Sequence, residues 1–216
     1  MIRNLFTTLL LGLSILAGAQ TFEGKIVYLI EAPSNLDPQM KMMLPSKSTG
    51  FFKNSQARME TQAGMGINTV TLVNGETEET VVLMNIMGNK YAMRNSGKVA
   101  KDSLATFDFS TSDSTKVIAG YVCKKASIRF KAEAAGETTQ MDVWYTSDLK
   151  VNNKHVAGPM AKIEGAILEY SINQQNIRLR FQASEVVQMT LDDSLFVVPE
   201  GYKFTTQEEL MKSFGR

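Results

Sequence analysis

GAILEYSINQQNIRLRFQASEVVQM, residues 165–189, alternates apolar and polar side chains on both sides of a polar centre. Ile177, Leu179, Phe181 and Ala183 fall on one face of an extended chain, and Arg178, Arg180 and Gln182 on the other. A period of two marks strands, because successive side chains point to opposite sides of the pleat. The stretch predicts a long hairpin turning near residues 173–176. One apolar and one polar face per strand predicts an antiparallel sheet with one wet side. The arginine-bearing face is the most polar in the chain and is expected to meet water.

The same period runs outward through the chain. In TFEGKIVYLI, Phe22, Ile26, Tyr28 and Ile30 share one face. SKSTGFFKNSQARMETQ reads as two strands around Asn54-Ser55. GINTVTLVNGETEETVVLMN reads as a hairpin with Asn74-Gly75 at the turn, since both residues accept positive φ. KYAMR is a further short strand. Residues 95–114 are polar and aperiodic, with Phe107 and Phe109 as anchors, and read as a long surface loop. CKKASIRFKA sets Ala126, Ile128 and Phe130 against Lys125, Ser127 and Arg129. TTQMDVWYTS sets Met141, Val143 and Tyr145 against Gln140, Asp142 and Trp144. Residues 150–163 read as a loop carrying Gly158-Pro159.

Two segments carry helical signals. In LDPQMKMMLP, Asp37 suits the N-cap, Pro38 the first helical position, and Pro45 the stop. Met40, Met43 and Leu44 share a face of that helix. In TTQEELMKSFGR, Thr205 and Glu208 have capping-box spacing, with Leu210, Met211 and Phe214 as the apolar stripe. About ten strands and two small helices make a mainly β (α+β) chain. A sheet of that size must curl, and its apolar face needs cover. The expectation is one large curved antiparallel sheet, an incomplete β-barrel, with the two helices covering its concave face.

The N-terminus, MIRNLFTTLLLGLSILAGAQ, places Arg3 before an apolar run and Ala17-Gly18-Ala19 after it. That is a secretory signal, too short for a stable membrane span. Cleavage after Ala19 is expected to leave one domain, residues 20–216, in the periplasm or outside the cell. No cysteine follows the cut, so the mature N-terminus offers no lipidation site. The signal removes one of 23 basic residues and none of the 22 acidic ones, so the mature chain carries no net charge. That argues against a nucleic-acid footprint or a polybasic membrane patch.

Cys123 is the single cysteine, so an exported chain of this kind has no internal disulfide. Free cysteine is among the most buried residue types, and reactive thiols need an electropositive, accessible setting. Lys124 and Lys125 are neighbours, but no histidine is near in sequence. Cys123 reads as packing.

The stretches IAGYVCKKASI (118–128), DVWYTSDLKV (142–151), VAGPMAKIEGAILEY (156–170) and DDSLFVVPEGYKFTTQEEL (192–210) resemble a family of secreted bacterial proteins known as domain of unknown function 4412. The resemblance runs from about Phe22 to Leu210. It implies the outer-membrane lipoprotein carrier fold, an incomplete barrel with helices across the concave side. It implies no activity and no site residues.

The residues themselves offer little catalysis. His155, the single histidine, lies in the polar loop NNKHVAG, so a nucleophile–histidine arrangement has only a solvated candidate. Zinc spacing and a Gly-rich phosphate loop are absent from the sequence. Asp192 and Asp193 are adjacent, which on a strand sends them to opposite faces, and they read as turn residues. The methionines at 40, 42, 43, 59, 65, 84, 87 and 93 raise copper, but no histidine or cysteine lies in the cluster. Methionine also makes deformable apolar surfaces. The expectation is a non-enzymatic protein with no metal and no cofactor, holding a lipid, acyl chain or other apolar ligand between sheet and helices. Met40, Met43, Leu44, Ile128, Phe130 and Phe181 are the expected lining. The alternative is an envelope protein-interaction or structural module whose core is filled by its own side chains.

Overall fold

A computed structural model of the chain describes residues 21–64, 68–86, 88–96, 107–131, 138–153, 158–174 and 177–213. The expected signal at 1–19, His155, Met65, Met87, Phe214 and the hairpin tip at 175–176 lie outside the described residues.

The strands run in chain order as β1 (Gly24–Glu31), β2 (Lys47–Lys53), β3 (Gln56–Gln62), β4 (Asn68–Asn74), β5 (Glu79–Ile86), β6 (Asn89–Ser96), β7 (Phe107–Ile118), β8 (Tyr121–Lys131), β9 (Thr138–Thr146), β10 (Ala166–Gln174), β11 (Ile177–Gln188) and β12 (Lys203–Phe204). Helix α1 spans Pro38–Met43 and α2 spans Gln207–Ser213. Among the described residues these twelve strands form one open sheet, ordered β12-β6-β5-β4-β3-β2-β1-β11-β10-β9-β8-β7. Strands β1–β6 and β7–β11 are each an antiparallel meander, joined where β1 pairs antiparallel with β11. Only β12, on β6, pairs parallel.

The alternation expected of residues 165–189 holds in β11, whereas Ala166, Ile167, Leu168 and Glu169 at the start of β10 are all buried. Leu179, Phe181 and Ala183 are buried, whereas Arg178 is exposed. Phe22, Ile26, Tyr28 and Ile30 are likewise all buried and enter the main core. That core also takes Phe52, Ala57, Leu149, Val151 and Leu168. Smaller clusters form around Leu83 and around Ile128 and Val143.

Among the described residues, bulges interrupt the ladders at Val27/Tyr28, Ser112/Thr115 and Ile167/Glu169. A bulge bends its strand and increases the local twist. Two of them lie close together, since Tyr28 Oη donates a 2.8 Å hydrogen bond to the Ile167 carbonyl.

Four local expectations change. The loop expected over 95–114 is in part strand, because β7 begins at Phe107. An edge strand needs one ladder and no apolar face, so a polar, exposed sequence suffices. The Asn74-Gly75 turn is a longer loop. Asn74 pairs with Glu79, Asn74 Oδ1 accepts from the Glu76 and Thr77 amides, and Glu78 takes the positive φ of 56°. At α2 the capping box is one residue later. The Thr206 amide donates to Glu209 Oε2 at 2.9 Å and the Glu209 amide donates to Thr206 Oγ1 at 3.2 Å. The arginine face is not simply wet, since Arg180 pairs with Glu169 and Glu31.

Helix α1 is capped as expected, with Asp37 Oδ1 accepting from the Gln39 amide at 2.8 Å. It buries none of its own residues, and cover for the core comes from Leu44 behind it. No helix among the described residues is long and apolar enough to cross a membrane.

Candidate functional site

An apolar cavity of about 270 Å³ opens beside the junction of the two meanders. From β1 come Ile26 and Tyr28, from β2 Phe52, from β3 Ala57 and Met59, and from β4 Val73. The other wall is Ala166, Ile167 and Tyr170 of β10, with Val151 and Asn153 from the segment after β9.

Strand alternation accounts for the first wall. Ile26 and Tyr28 are two apart on β1, and Ala57 and Met59 two apart on β3, so each pair faces one way. Register carries the wall across the sheet, because Phe52 pairs with Ala57 and Ala57 with Val73. Gly50 leaves the room: a Cβ there would stand 2.7 Å from the Phe52 ring and 2.8 Å from Met59 Sδ. Without a side chain at residue 50, both cavity-lining groups lie over the β2 backbone.

The second wall depends on the β10 bulge. The pairing of β10 with β9 shifts register between Ile167 and Glu169, and the Ile167 carbonyl at that shift accepts from Tyr28 Oη. The Tyr28 hydroxyl is therefore spent on backbone. Burial pushes its pKa well up, with Tyr170 adding to the effect, so it stays protonated. Tyr170 is held by an offset stack on Phe181, centroids 4.8 Å apart, and an edge contact with Tyr28 at 5.9 Å. Burial raises the Tyr170 pKa as well.

Asn153 is the exception to the apolar lining. It is 5% exposed, and Nδ2 donates to the carbonyls of Ile163 at 2.6 Å and Gly165 at 2.8 Å. Both amide hydrogens are thereby used. Asn153 and Val151 also line a second recess of about 430 Å³, with Ser147, Lys150, Asn152 and Glu164.

A separate charged network crosses the other half of the sheet. Each oxygen of Glu169 has its own cation, Lys116 at 2.7 Å and Arg180 at 2.8 Å. Lys116 also sits 4.1 Å from the Trp144 ring centroid. Burial opposes ionisation of Glu169, but the bonds from Arg180 and Lys116 outweigh it and lower its pKa. Asp192 caps a short 3-10 turn through Ser194, and Asp193 pairs with Lys53 at 2.7 Å, as turn residues would.

The six residues expected to line a ligand site are dispersed. Phe181 backs the cavity through its stack on Tyr170. Ile128 is fully buried in a cluster against which Tyr170 also packs. Leu44 packs on the main core, and Met40 and Met43 are exposed on α1. Phe130 pairs with Phe107 and Thr139 in the ladder. The lining residues Val151 and Asn153 fall in a stretch read as solvated loop. Their one signal is Leu149 and Val151, two apart, continuing the strand period beyond β9 with both side chains buried.

The comparisons with known proteins give one family and a set of similar structures, LppX and LprF among them. The family described as "Domain of unknown function (DUF4412)" matches residues 22–161, so the motifs at 162–210 lie beyond the match. No curated protein matches the chain. The lipoprotein LppX of Mycobacterium tuberculosis is similar at 10% identity and a TM-score of 0.42, covering 79% of this chain and 89% of that one. LprF from Mycobacterium bovis is similar at 11% identity and a TM-score of 0.37, covering 83% and 90%.

Proposed function

The chain belongs to the DUF4412 family, and from that premise we propose that it is an exported, non-enzymatic binding protein for an apolar ligand, released from its signal at Ala19. The observation that carries the reading is the 270 Å³ cavity between the two meanders, walled by Ile26, Phe52, Met59 and Ile167. An apolar cavity of about 150 Å³ already holds benzene, and drug-sized ligands take about 300–1,000 Å³. This volume suits a small apolar molecule or one section of an acyl chain. Transfer of such a chain from water is favourable by about 0.8 kcal/mol per buried methylene. Phe181 supports the wall behind Tyr170, Ile128 supports it from the neighbouring cluster, and exposed Met40 and Met43 offer a deformable apolar surface to an arriving chain.

Native mass spectrometry of the protein from a periplasmic extract, before and after lipid extraction, tests this. The expected result is an added mass that leaves on extraction. Val73→Phe fills the cavity from its edge and is expected to lose the added mass while keeping the fold. A bare protein that takes up no fluorescent fatty acid removes the reading.

One observation favours the other reading, an envelope interaction module. Val117 and Val122 pair across β7 and β8 and are 67% and 57% exposed. Exposed apolar pairs of this kind mark contact surfaces when they extend into a patch. Co-purification of a single envelope protein that Val117→Lys abolishes supports that module; an unchanged elution profile for the variant counts against it.

A further inference from the structure

We infer that the ligand is a long, linear acyl chain, laid across the strands from the cavity to the far edge of the sheet. The inference rests on the apolar-ligand reading and gives that ligand its length and path.

Register draws the path. Ile26 pairs with Gly50, Gly50 with Met59, Met59 with Thr71, Thr71 with Val82, and Val82 with Met93. Directly paired residues point to the same side of a sheet, so these make one row from β1 to β6. Ile26 and Met59 line the apolar cavity at one end. Val82 and Met93 line a second hollow at the other, a groove of about 500 Å³ walled by Phe204 and by Gln207 and Glu209 of α2. Five interstrand steps of about 4.8 Å give the row a span of about 24 Å. That is the reach of an extended palmitoyl chain, not of a compact apolar molecule.

The chemistry of this face says what suits it. Over β3–β6 the side that bears the row holds no lysine, arginine, aspartate or glutamate. By strand alternation Arg58, Glu60, Glu79, Lys90 and Arg94 all fall on the opposite side. Yet the opposite side is the covered one, where Val198 and Tyr202 pack on Leu72, Val81, Leu83 and Ala92. A sheet face left to water is normally the polar one. Here the face left open among the described residues is the uncharged one, and Met59, Thr71, Val82 and Met93 are each only half-buried. Methionine side chains reshape around an apolar partner. The row continues the cavity with no charge to desolvate, so a chain that starts in the cavity gains by lying along it.

Displacement of the apolar probe N-phenyl-1-naphthylamine from the exported protein tests this, with octanoate, laurate and palmitate as competitors below their aggregation limits. A chain on a half-open track gains about twofold per added methylene, half the free energy of full burial. Palmitate is therefore expected to displace the probe at roughly tenfold to twentyfold lower concentration than laurate. Thr71→Trp sets an indole in the middle of the row and is expected to bring palmitate level with laurate. Should that variant fail to fold, Met93→Lys at the far end is expected to narrow the same gap. Palmitate no better than laurate on the unaltered protein overturns the inference and leaves the apolar cavity standing. A gap that Thr71→Trp leaves unchanged overturns it too, since the chain then runs elsewhere. Equal displacement together with a dimer that Thr71→Trp splits gives the face to a second copy of the chain instead. If no competitor displaces the probe, the apolar-ligand reading falls, and the inference with it.

Discussion

Cys123 has none of its surface exposed, and its thiol donates to the Tyr121 carbonyl at 3.5 Å. Burial pushes the thiol pKa up, against smaller lowering effects from the backbone at Ile118 and from Lys116. Lys125 does not activate it, because that ammonium pairs with Asp142 at 2.8 Å. The thiol is expected to resist an aromatic disulfide reagent in the native protein and to react fully once unfolded; fast native labelling contradicts this. The packing role was legible, since a lone cysteine flanked by strand residues has few other uses. Glu169 was not. Its place in the apolar run AILEY marks a strand, but its partners stand at positions 116 and 180, which only the fold brings near. Glu169→Gln removes both ion pairs and is expected to cost about 1–3 kcal/mol at neutral pH. The sign of the pH effect follows from a lowered pKa. The stabilisation is fully present above the usual glutamate value of about 4.3 and is lost as pH falls below it. Asp142 behaves likewise: burial works against its charge, but Lys125, Gln140 and Ser127 hold its pKa at about 2. Denaturant melts at pH 7 and pH 3 check this, with the gap between wild type and Glu169→Gln expected to narrow at the lower pH. A gap that widens in acid counts against it.

At the level of elements, the hairpin tips show how local chemistry sets register. Ile118 pairs with Tyr121, and the two residues between them, Ala119 and Gly120, have φ of 49° and 86°. Two left-handed residues make a tight turn whose twist matches the flanking strands. A Cβ at Gly120 would meet nothing within 4 Å, so Gly120→Ala tests backbone strain alone. The expected loss is about 1 kcal/mol, read from the urea midpoint, with no change in the slope. An unchanged midpoint would mean the turn can relax. Strands with two chemically distinct faces were legible throughout, as in β1 and β11. Three things were not. The edge strand β7 is polar on both faces over Ser110–Thr115, so it has no period to read. Thr205 and Thr206 are each followed three residues later by a glutamate, so the sequence offers two capping boxes, and the second is the one that forms. Asn74 forms its own hydrogen-bonded turn, which replaces the two-residue turn its glycine suggests.

The whole molecule turns on the β1–β11 ladder, the antiparallel pairing that joins the meanders. The cavity lies against this junction and takes walls from both sides, Ile26 and Tyr28 from the first meander and Ala166 and Tyr170 from the second. Faces of individual strands indicate which residues can line such a space. They do not indicate that the first strand meets the eleventh, and that pairing is what puts Tyr28 against Ile167. The expected lining residue Ile128 on β8 was therefore apolar and inward, yet belonged to another cluster. The same junction should govern stability. Opening either meander strips one partner from the ladder and exposes the main core, which draws buried residues from both. The halves are thus expected to unfold together, in one denaturant transition. Native-state hydrogen exchange is expected to find the slowest amides on β1 and β11 and the fastest on β7 and β12, which each lack a neighbour on one side. Ligand in the cavity binds only where both walls stand, so it should raise protection in β2–β3 and β10 together. Two separate transitions, or protection confined to one meander, would mean that the cavity is built by one half and that the ladder is a contact between independent units.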